Sequence, residues 1–286
     1  MDAWEAACLY KASMPEIRAQ AERHHRLMGV VNVTPDSFSD GGLYLDPERA
    51  IGHGRELAAD GADVLDIGGE STRPGAAEVS AEEEAARVVP VIEGLAGDGH
   101  AVSIDTSKLA VAEAALDAGA TWVNDITALR AAPEIAALVA ERGAELVLMH
   151  MQGSPRTMQD APTYDDVVDD VKAFLAKRVA FAVGAGVAEE RIWLDPGFGF
   201  GKTVEHNLEL LRRLGELTEL GRPLVVGTSR KSFIGRIGGA EVDQRLGGTI
   251  ATCAIALANG ATMLRVHDVR EVGEALLVAE AILSAA

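Results

Sequence analysis

The stretch Gly61-Ala62-Asp63-Val64-Leu65-Asp66-Ile67-Gly68-Gly69-Glu70 is a short apolar run that leads into side chains able to ionise. Seven other short apolar runs lead into a polar side chain in the same way, at Asn32, Asp105, Asn124, His150, Asp195, Ser229 and His267. In a barrel of eight parallel strands, the carboxyl ends of the strands meet at one rim, and active sites lie there. The eight runs therefore predict an α/β fold, a (β/α)8 TIM barrel with one reactive rim.

The segments between the runs carry the signals of helices. Asp46-Pro47 has the N-cap and first-turn proline of a helix that Gly61 ends, and Ser80 with Glu83 has capping-box spacing for a helix reaching about Gly94. Further helices are predicted over residues 107–118, 133–142, 164–185, 206–220, 243–258 and 268–284. Four of these helices lead into the next strand through a Gly-Ala pair, and glycine accepts the left-handed conformation that ends a helix. The four glycines are Gly61, Gly119, Gly143 and Gly260.

A doubly wound open sheet is the alternative fold. It needs a glycine-rich nucleotide loop after the first strand. The sequence at that place, Asn32-Val33-Thr34-Pro35-Asp36, is not such a loop. The barrel is therefore preferred.

Length and composition fit one enzyme domain. The chain has 286 residues, of which 48% are hydrophobic and 24% are charged, and barrels of this kind take roughly 250 residues. We expect residues 1–26 to be a short, helical N-terminal extension and residues 27–286 to be the barrel. The acidic start and glycine-interrupted apolar stretches argue against a secretory signal or a membrane span. Cys8 and Cys253 suit a reducing cytoplasm.

The formal charge of −18 argues against nucleic acid or an anionic membrane as a partner. An anionic substrate would have to meet a local group of cations instead. Phosphate sites in such barrels often form around the last two loops. The candidate cations follow the second, seventh and eighth runs, and they are Arg73, Arg230, Lys231, Arg265 and His267.

Eight blocks of sequence, in order along the chain, resemble the motifs of the dihydropteroate synthases, a pterin-binding family of folate biosynthesis. The two signatures are residues 29–42 (GVVNVTPDSFSDGG) and 68–75 (GGESTRPG). The other blocks are residues 103–106 (SIDT), 123–126 (VNDI), 149–153 (MHMQG), 195–202 (DPGFGFGK), 228–232 (TSRKS) and 265–268 (RVHD). The resemblance runs from about Leu27 to the C terminus, and each block lies at a predicted strand end.

The resemblance implies a transferase. In this family p-aminobenzoate displaces pyrophosphate from a dihydropterin methyl pyrophosphate and gives 7,8-dihydropteroate. It also implies a homodimer formed through the later helices and a protein of the kind that sulfonamides target.

The resemblance also implies substrate contacts. The pterin ring has an amidine-like edge, for which buried carboxylates and carboxamides are suitable partners, and Asp195 is expected at that edge. Asp105 is expected to face the methylene carbon, which becomes cationic if pyrophosphate leaves first. The implied contacts for pterin and aminobenzoate are Asp105, Asn124, Asp195, Phe200, Lys231 and Ser232, and the implied catalytic set is Asp105, Lys231 and Arg73.

Leaving pyrophosphate needs positive charge around it. By the resemblance, Arg265 and His267 bind it and Asn32 contacts a Mg²⁺ ion that bridges it. As a hypothesis, Thr72 and Arg73 bring contacts from a closing loop to the pyrophosphate and to the aminobenzoate side. Arg265 and His267 are two residues apart, so strand geometry points both to one face. Residues 34–42 and 70–76, rich in Gly, Ser, Pro and Asp, are interpreted as lids over the substrates.

Other interpretations stay open. Lys231 could form a Schiff base as in aldolases, and His150 could be a base, although a packed, hydrogen-bonded histidine is preferred. The chain could also be another, methyltransferase-like pterin-binding barrel, or a catalytically silent paralogue that serves as a partner protein. We further expect His24 and His25 at the surface and Glu82-Glu83-Glu84 in a solvated first helical turn.

Overall fold

The structure is a computed structural model that describes residues 24–34, 47–71, 78–154 and 157–285. In these ranges eight parallel strands form one sheet in the order β6-β5-β4-β3-β2-β1-β8-β7. A bridge between Leu194 and Leu224 joins the two outer strands and closes the barrel. The predicted barrel is confirmed. The strands are β1 (Arg26–Asn32), β2 (Val64–Gly68), β3 (Val102–Asp105), β4 (Trp122–Asp125), β5 (Glu145–Met149), β6 (Ile192–Asp195), β7 (Val225–Val226) and β8 (Met263–Val266).

Helices follow the strands on the outside of the barrel. They are α1 (Pro47–Ala59), α2 (Ala81–Gly97), α3 (Leu109–Asp117), α4 (Ile135–Arg142), α5 (Val167–Gly184), α6 (Val204–Arg212), α7 (Ser232–Gly238), α8 (Leu246–Ala258) and α9 (Val269–Leu283). Short 3₁₀ turns lie at Glu189–Arg191, Leu214–Leu220 and Val242–Gln244. The backbone at all four predicted Gly-Ala glycines has φ between 60° and 108°, so the interpretation of these junctions as left-handed helix ends is confirmed.

The sequence did not predict α7. This helix contains Gly235 and Gly238 and is followed by Gly239, and closely spaced glycines are typical of a loop. Gly235 is needed because a Cβ there would lie 2.5 Å from Nε of Arg245. The predicted helix over 206–220 also changes character, because α6 ends at Arg212 and continues as a 3₁₀ turn.

Toward the amino-terminal ends of the strands, the interior of the barrel is filled with apolar side chains. One buried cluster comes from six different strands: Met28, Val64, Trp122, Val147, Val225 and Met263. Side chains two residues further along a strand point to the same face. The next interior layer therefore contains Asp66 above Val64, Asn124 above Trp122 and Arg265 above Met263, so it is polar. This change from apolar to polar places the reactive rim at the carboxyl ends of the strands.

Two surface predictions were wrong. His25 is buried, and its backbone N–H donates to Oε1 of Glu280 over 2.8 Å. Glu84 is also buried and accepts a hydrogen bond from Lys108. Both residues are held by partners that are distant in sequence, and the partner of Glu84 satisfies its buried carboxylate. Of the helices that the described ranges contain, none is both long and apolar enough to cross a membrane.

The predicted N-terminal extension falls mostly outside the described residues, because residues 1–23 are not described and β1 already begins at Arg26. The proposed lids lie largely outside them as well, and so do Thr72 and Arg73.

Candidate active site

A buried ion cluster lies at the centre of the rim. The guanidinium of Arg265 donates from Nε to Oδ2 of Asp66 over 2.6 Å and from Nη2 to Oδ2 of Asp105 over 2.8 Å. Asn124 donates from Nδ2 to the same oxygen of Asp66 over 3.0 Å. Three residues predicted for substrate binding therefore share one network. Asp66 belongs to it but was assigned no role from sequence.

Asp66 was missed because it lies inside a strand, two residues before the glycine that ends β2. A carboxylate inside an apolar run was the available signal. Its side chain is 0% exposed, and its Oδ1 has no hydrogen-bond partner among the described residues. The Oδ1 of Asn124 is unpartnered in the same sense. A ligand with N–H donors would satisfy such acceptors.

Burial and neighbouring charges shift the pKa values in this cluster in opposite directions. Burial raises the pKa of Asp105 to about 7, although Arg265 opposes the shift. Burial lowers the pKa of Arg265, but the carboxylates of Asp66 and Asp105 outweigh it, so the pKa ends above its usual value. Arg265 is therefore a permanent cation, and Asp105 gains or loses its proton near neutral pH.

A second part of the site is built on the loop after β6. Asp195 is buried, and its Oδ1 accepts the N–H of Gly197 over 2.7 Å. Its Oδ2 makes no hydrogen bond to any described residue. Burial raises the pKa of Asp195, while the Gly197 N–H and the charge of Lys231 oppose the rise.

Lys231 packs against the same loop. Its Nζ lies 4.2 Å from the centre of the Phe200 ring, a cation–π geometry. A Cβ at Gly199, where φ is +78°, would lie 3.1 Å from Cδ of Lys231, so glycine permits the close approach. Burial and the nearby Arg265 lower the pKa of Lys231 to about 8.

His267 lies just beyond β8, where Nδ1 is 3.0 Å from Oγ of Ser229. Since that Oγ also accepts the backbone N–H of His267 over 3.2 Å, its own hydrogen is free to be donated to Nδ1. Nε2 then carries the ring proton and is a donor. Burial, with Arg265 and Arg230, lowers the pKa of His267 to about 3, so the ring is neutral. Arg230 itself is paired with Asp268.

Asn32 ends β1 beside the ion cluster. A Cβ at Gly68 would lie 3.7 Å from Oδ1 of Asn32 and 4.0 Å from Oδ2 of Asp105. The two oxygens therefore flank one point of the rim. Ser232 is exposed as the first residue of α7. Within the described ranges, no three His, Cys, Asp or Glu side chains come together as a metal site.

His150 is packed and hydrogen-bonded, as predicted. Its ring contacts Phe174 edge-on at 4.9 Å between centroids, and Nδ1 lies 2.9 Å from Nζ of Lys202. Burial, with Lys202 and Arg130, lowers its pKa to about 2. Cys253 is buried and unpaired.

Comparison with known proteins gives the family of this barrel. Residues 28–267 match the pterin-binding enzyme family. A dihydropteroate synthase of Escherichia coli (strain K12) is 48% identical over 263 residues, which cover 92% of this chain and 93% of that protein.

Solved structures agree. The Yersinia pestis dihydropteroate synthase, solved with a sulfonamide drug complex, has a TM-score of 0.87 at 47% identity and covers 92% of this chain and 95% of its own. The Xanthomonas albilineans dihydropteroate synthase in complex with 7,8-dihydropteroate has a TM-score of 0.84 at 45% identity and covers 93% of this chain and 96% of its own.

The polar rim of the barrel and the match over residues 28–267 agree, and the chain belongs to the pterin-binding enzyme family. Within that family it is a dihydropteroate synthase, a transferase of folate biosynthesis. The resemblance of its eight motifs is thereby confirmed, and the methyltransferase-like alternative loses its support.

Proposed function

We propose that the described rim binds a dihydropterin methyl pyrophosphate beside p-aminobenzoate and joins them. The C–O bond to pyrophosphate breaks, and both electrons leave with the pyrophosphate. The amine nitrogen forms the new C–N bond and loses one proton, which gives 7,8-dihydropteroate. The observation that carries this proposal is the buried cluster in which Asp66 and Asp105 both accept from Arg265, together with the unpartnered Oδ1 atoms of Asp66 and Asn124.

The ring is bound by the acceptors. Oδ2 of Asp195 and the two unpartnered Oδ1 atoms, on Asp66 and Asn124, are suited to the N–H donors of a pterin edge. A carboxylate that faces two donors also fixes the orientation of a planar ligand. Lys231, whose charge acts on Asp195 and which packs against the same loop, is proposed to contact the pterin ring as well.

The departing pyrophosphate is received by Arg265 and His267. Arg265 has five N–H donors, of which two are used by carboxylates, so the others are available to phosphate oxygens. Nε2 of His267 is a donor in the tautomer in which Nδ1 accepts the Ser229 hydroxyl. The ionised Asp105 would stabilise positive charge on the methylene carbon; such preorganised groups contribute roughly 3 to 4 kcal/mol each.

The aminobenzoate side is proposed to be formed by Phe200, Lys231 and Ser232. Phe200 is a buried aromatic surface that holds the Lys231 ammonium at its face. Thr72 and Arg73 are proposed to complete this side, on the strength of their sequence motif alone.

Asn32 suits a Mg²⁺ ion. The ion takes hard oxygen ligands and is typically held by one or two protein groups together with substrate phosphates and waters. The carboxamide oxygen of Asn32, close to Asp105 at the rim, fits that donor set. When bound, Mg²⁺ would neutralise charge on the leaving pyrophosphate.

We further propose a homodimer that forms through α8 and α9, and action in the cytoplasm. The two helices pack side by side, and apolar side chains of both are exposed, among them Ile255, Val278 and Ile282. Exposed apolar patches commonly mark interfaces. The free thiol of Cys253 suits a reducing compartment.

The direct test is to incubate the purified chain with the dihydropterin methyl pyrophosphate, p-aminobenzoate and Mg²⁺. Equal amounts of pyrophosphate and dihydropteroate are expected. A matched reaction without p-aminobenzoate should form no dihydropteroate. If pterin binds while neither product forms, the silent-paralogue interpretation replaces this proposal.

A further inference from the structure

Lys202 is a buried lysine whose Nζ has no carboxylate partner among the described residues; burial lowers its pKa to about 7, and the charge of Asp195 opposes the shift. It is 3% exposed, and Nζ contacts three acceptors: Nδ1 of His150 at 2.9 Å, the carbonyl oxygen of Gly197 at 2.9 Å and that of Phe200 at 3.2 Å. An ammonium group has three hydrogens, so each contact can take one. Burying a charge in this way is costly unless every donor is satisfied.

The contact with His150 ties the β6–α6 loop to the end of β5, and the contacts with Gly197 and Phe200 close the loop on itself. His150 lies at the end of β5, and its backbone N–H donates to the carbonyl oxygen of Asp195 over 2.9 Å. Gly197 crosses so close that a Cβ there would lie 1.8 Å from the carbonyl oxygen of His150. The loop backbone is therefore fixed near its start, at Gly197, and near its end, at Lys202. Its start follows Asp195 directly.

The held loop presents Phe200 to the reactive rim. Its carbonyl points inward to Nζ of Lys202, while its ring faces Nζ of Lys231 at 4.2 Å. Neighbouring hydrogen bonds hold Gly199 and Gly201 as well, through Gln159 and Tyr164. Two hydrogen bonds act on Phe200 itself: its N–H donates to the carbonyl oxygen of Gly197 over 3.1 Å, and its carbonyl oxygen accepts from Nζ of Lys202, the one side-chain donor among the described residues that contacts it.

We propose that Lys202 is a positioning residue: its buried ammonium, seated on His150, fixes the Phe200 ring against Lys231 and so shapes the aminobenzoate side of the site. The inference rests on the proposed function of Phe200. It gives His150 a task as well, as the fixed acceptor for Lys202. Its low pKa keeps the ring neutral, and Nδ1 accepts from Lys202 in the tautomer that carries its proton on Nε2.

The test compares Lys202→Met with the matched control Lys177→Met, which makes the same change at an exposed position of α5. For Lys202→Met, the KM for p-aminobenzoate should rise about tenfold while the KM for the pterin substrate changes by less than about threefold. Lys177→Met should leave both constants unchanged. An equal rise in both constants, or a lower melting temperature with unchanged kinetics, overturns the proposal.

A double-mutant cycle tests whether the effect passes through Phe200. In a Phe200→Leu background, Lys202→Met should have less than about one third of its effect on the KM for p-aminobenzoate, because coupled residues are not additive. Full additivity overturns the proposal. Lys202→Gln, which keeps amide donors, should recover part of the lost affinity, and it replaces Lys202→Met in the cycle if the methionine variant does not fold.

Hydrogen exchange separates this proposal from the reaction itself. Peptides that cover residues 197–202 should exchange faster in Lys202→Met and at the native rate in Lys177→Met. Unchanged exchange overturns the role of Lys202 even if the wild-type chain is fully active. An inactive wild-type chain with faster exchange in the variant overturns the proposed reaction but not the tether.

Discussion

Nη2 of Arg265 lies 2.8 Å from Oδ2 of Asp105. The cation proposed for pyrophosphate and the anion proposed for the methylene carbon are therefore in direct contact. Because the guanidinium is a planar fork with donors to spare, Arg265 can bind phosphate oxygens without releasing either carboxylate. This contact lets one residue orient both the leaving group and the charge that opposes it.

Replacing Asp105 with Asn should reduce kcat by about 100-fold to 1,000-fold, the effect of removing one preorganised electrostatic group. The melting temperature should not fall much, since burial of the ionised carboxylate is itself unfavourable. Steady-state kinetics and calorimetry measure the two effects. Asp165→Asn, the same change at an exposed position, should alter neither, and an unchanged kcat for Asp105→Asn would reject its role.

The pH profile of kcat/KM should have two limbs. Asp105 must be ionised, so activity should rise as pH passes about 7, and Lys231 must be charged, so activity should fall above about 8. In Asp105→Asn the acid limb should disappear while the alkaline limb stays. A profile whose acid limb survives in that variant would show that another group is responsible.

The same pKa shift affects stability with a defined sign. The folded state binds the proton of Asp105 more tightly than the unfolded chain, because the pKa rises from 3.8 to about 7 on folding. The contribution of this group to the free energy of unfolding should therefore fall as pH rises between those values. Denaturant titrations of the wild-type chain and Asp105→Asn should diverge over this range, with the wild-type losing more stability.

Removing the charge of Arg265 should destabilise the fold. Arg265→Met leaves Asp66, which is fully buried, without its cation, and breaking a buried pair costs about 3 to 5 kcal/mol. Arg265→Lys should lose less stability but still raise the KM for the pterin pyrophosphate, because lysine cannot bridge two carboxylates with a planar fork. Arg270→Met, which breaks an exposed pair with Asp60, is the control and should leave the stability almost unchanged, because solvent screens such pairs.

Charge on the outer face of α9 should dissociate the proposed dimer. Val278 and Ile282 are 61% and 69% exposed, and a glutamate at either position would have to be desolvated against an apolar partner. The dissociation constant should rise by about 100-fold, or roughly 3 kcal/mol, as measured by analytical ultracentrifugation. Phe181→Glu on α5, also an exposed apolar position, should leave it unchanged. A wild-type chain that is monomeric at all concentrations would contradict the dimer.

Local patterns in the sequence determined the barrel. Each strand is a short apolar run that leads into a polar residue, and each Gly-Ala junction ends a helix, so both signals lie within a few residues of the structure they specify. Helix α7 was not predicted because Gly235, which permits close packing against Arg245, resembles a loop residue, and no local pattern contains that contact. The burial of His25 and Glu84 was not predicted for the same reason, because their partners, Glu280 and Lys108, are distant in sequence.

The identity of the reactive residues was available from motifs, but their arrangement was not. Arg265 is separated from Asp66 by 199 positions, and Lys202 from His150 by 52. Sequence alone therefore determined which strand ends are polar and which family the chain belongs to. Tertiary structure decided which charged groups share a hydrogen bond, which carboxyl group has a pKa near neutral, and which buried lysine is proposed to support the aminobenzoate side. These properties arise only in the closed barrel, because closure brings distant residues together and removes water from between them.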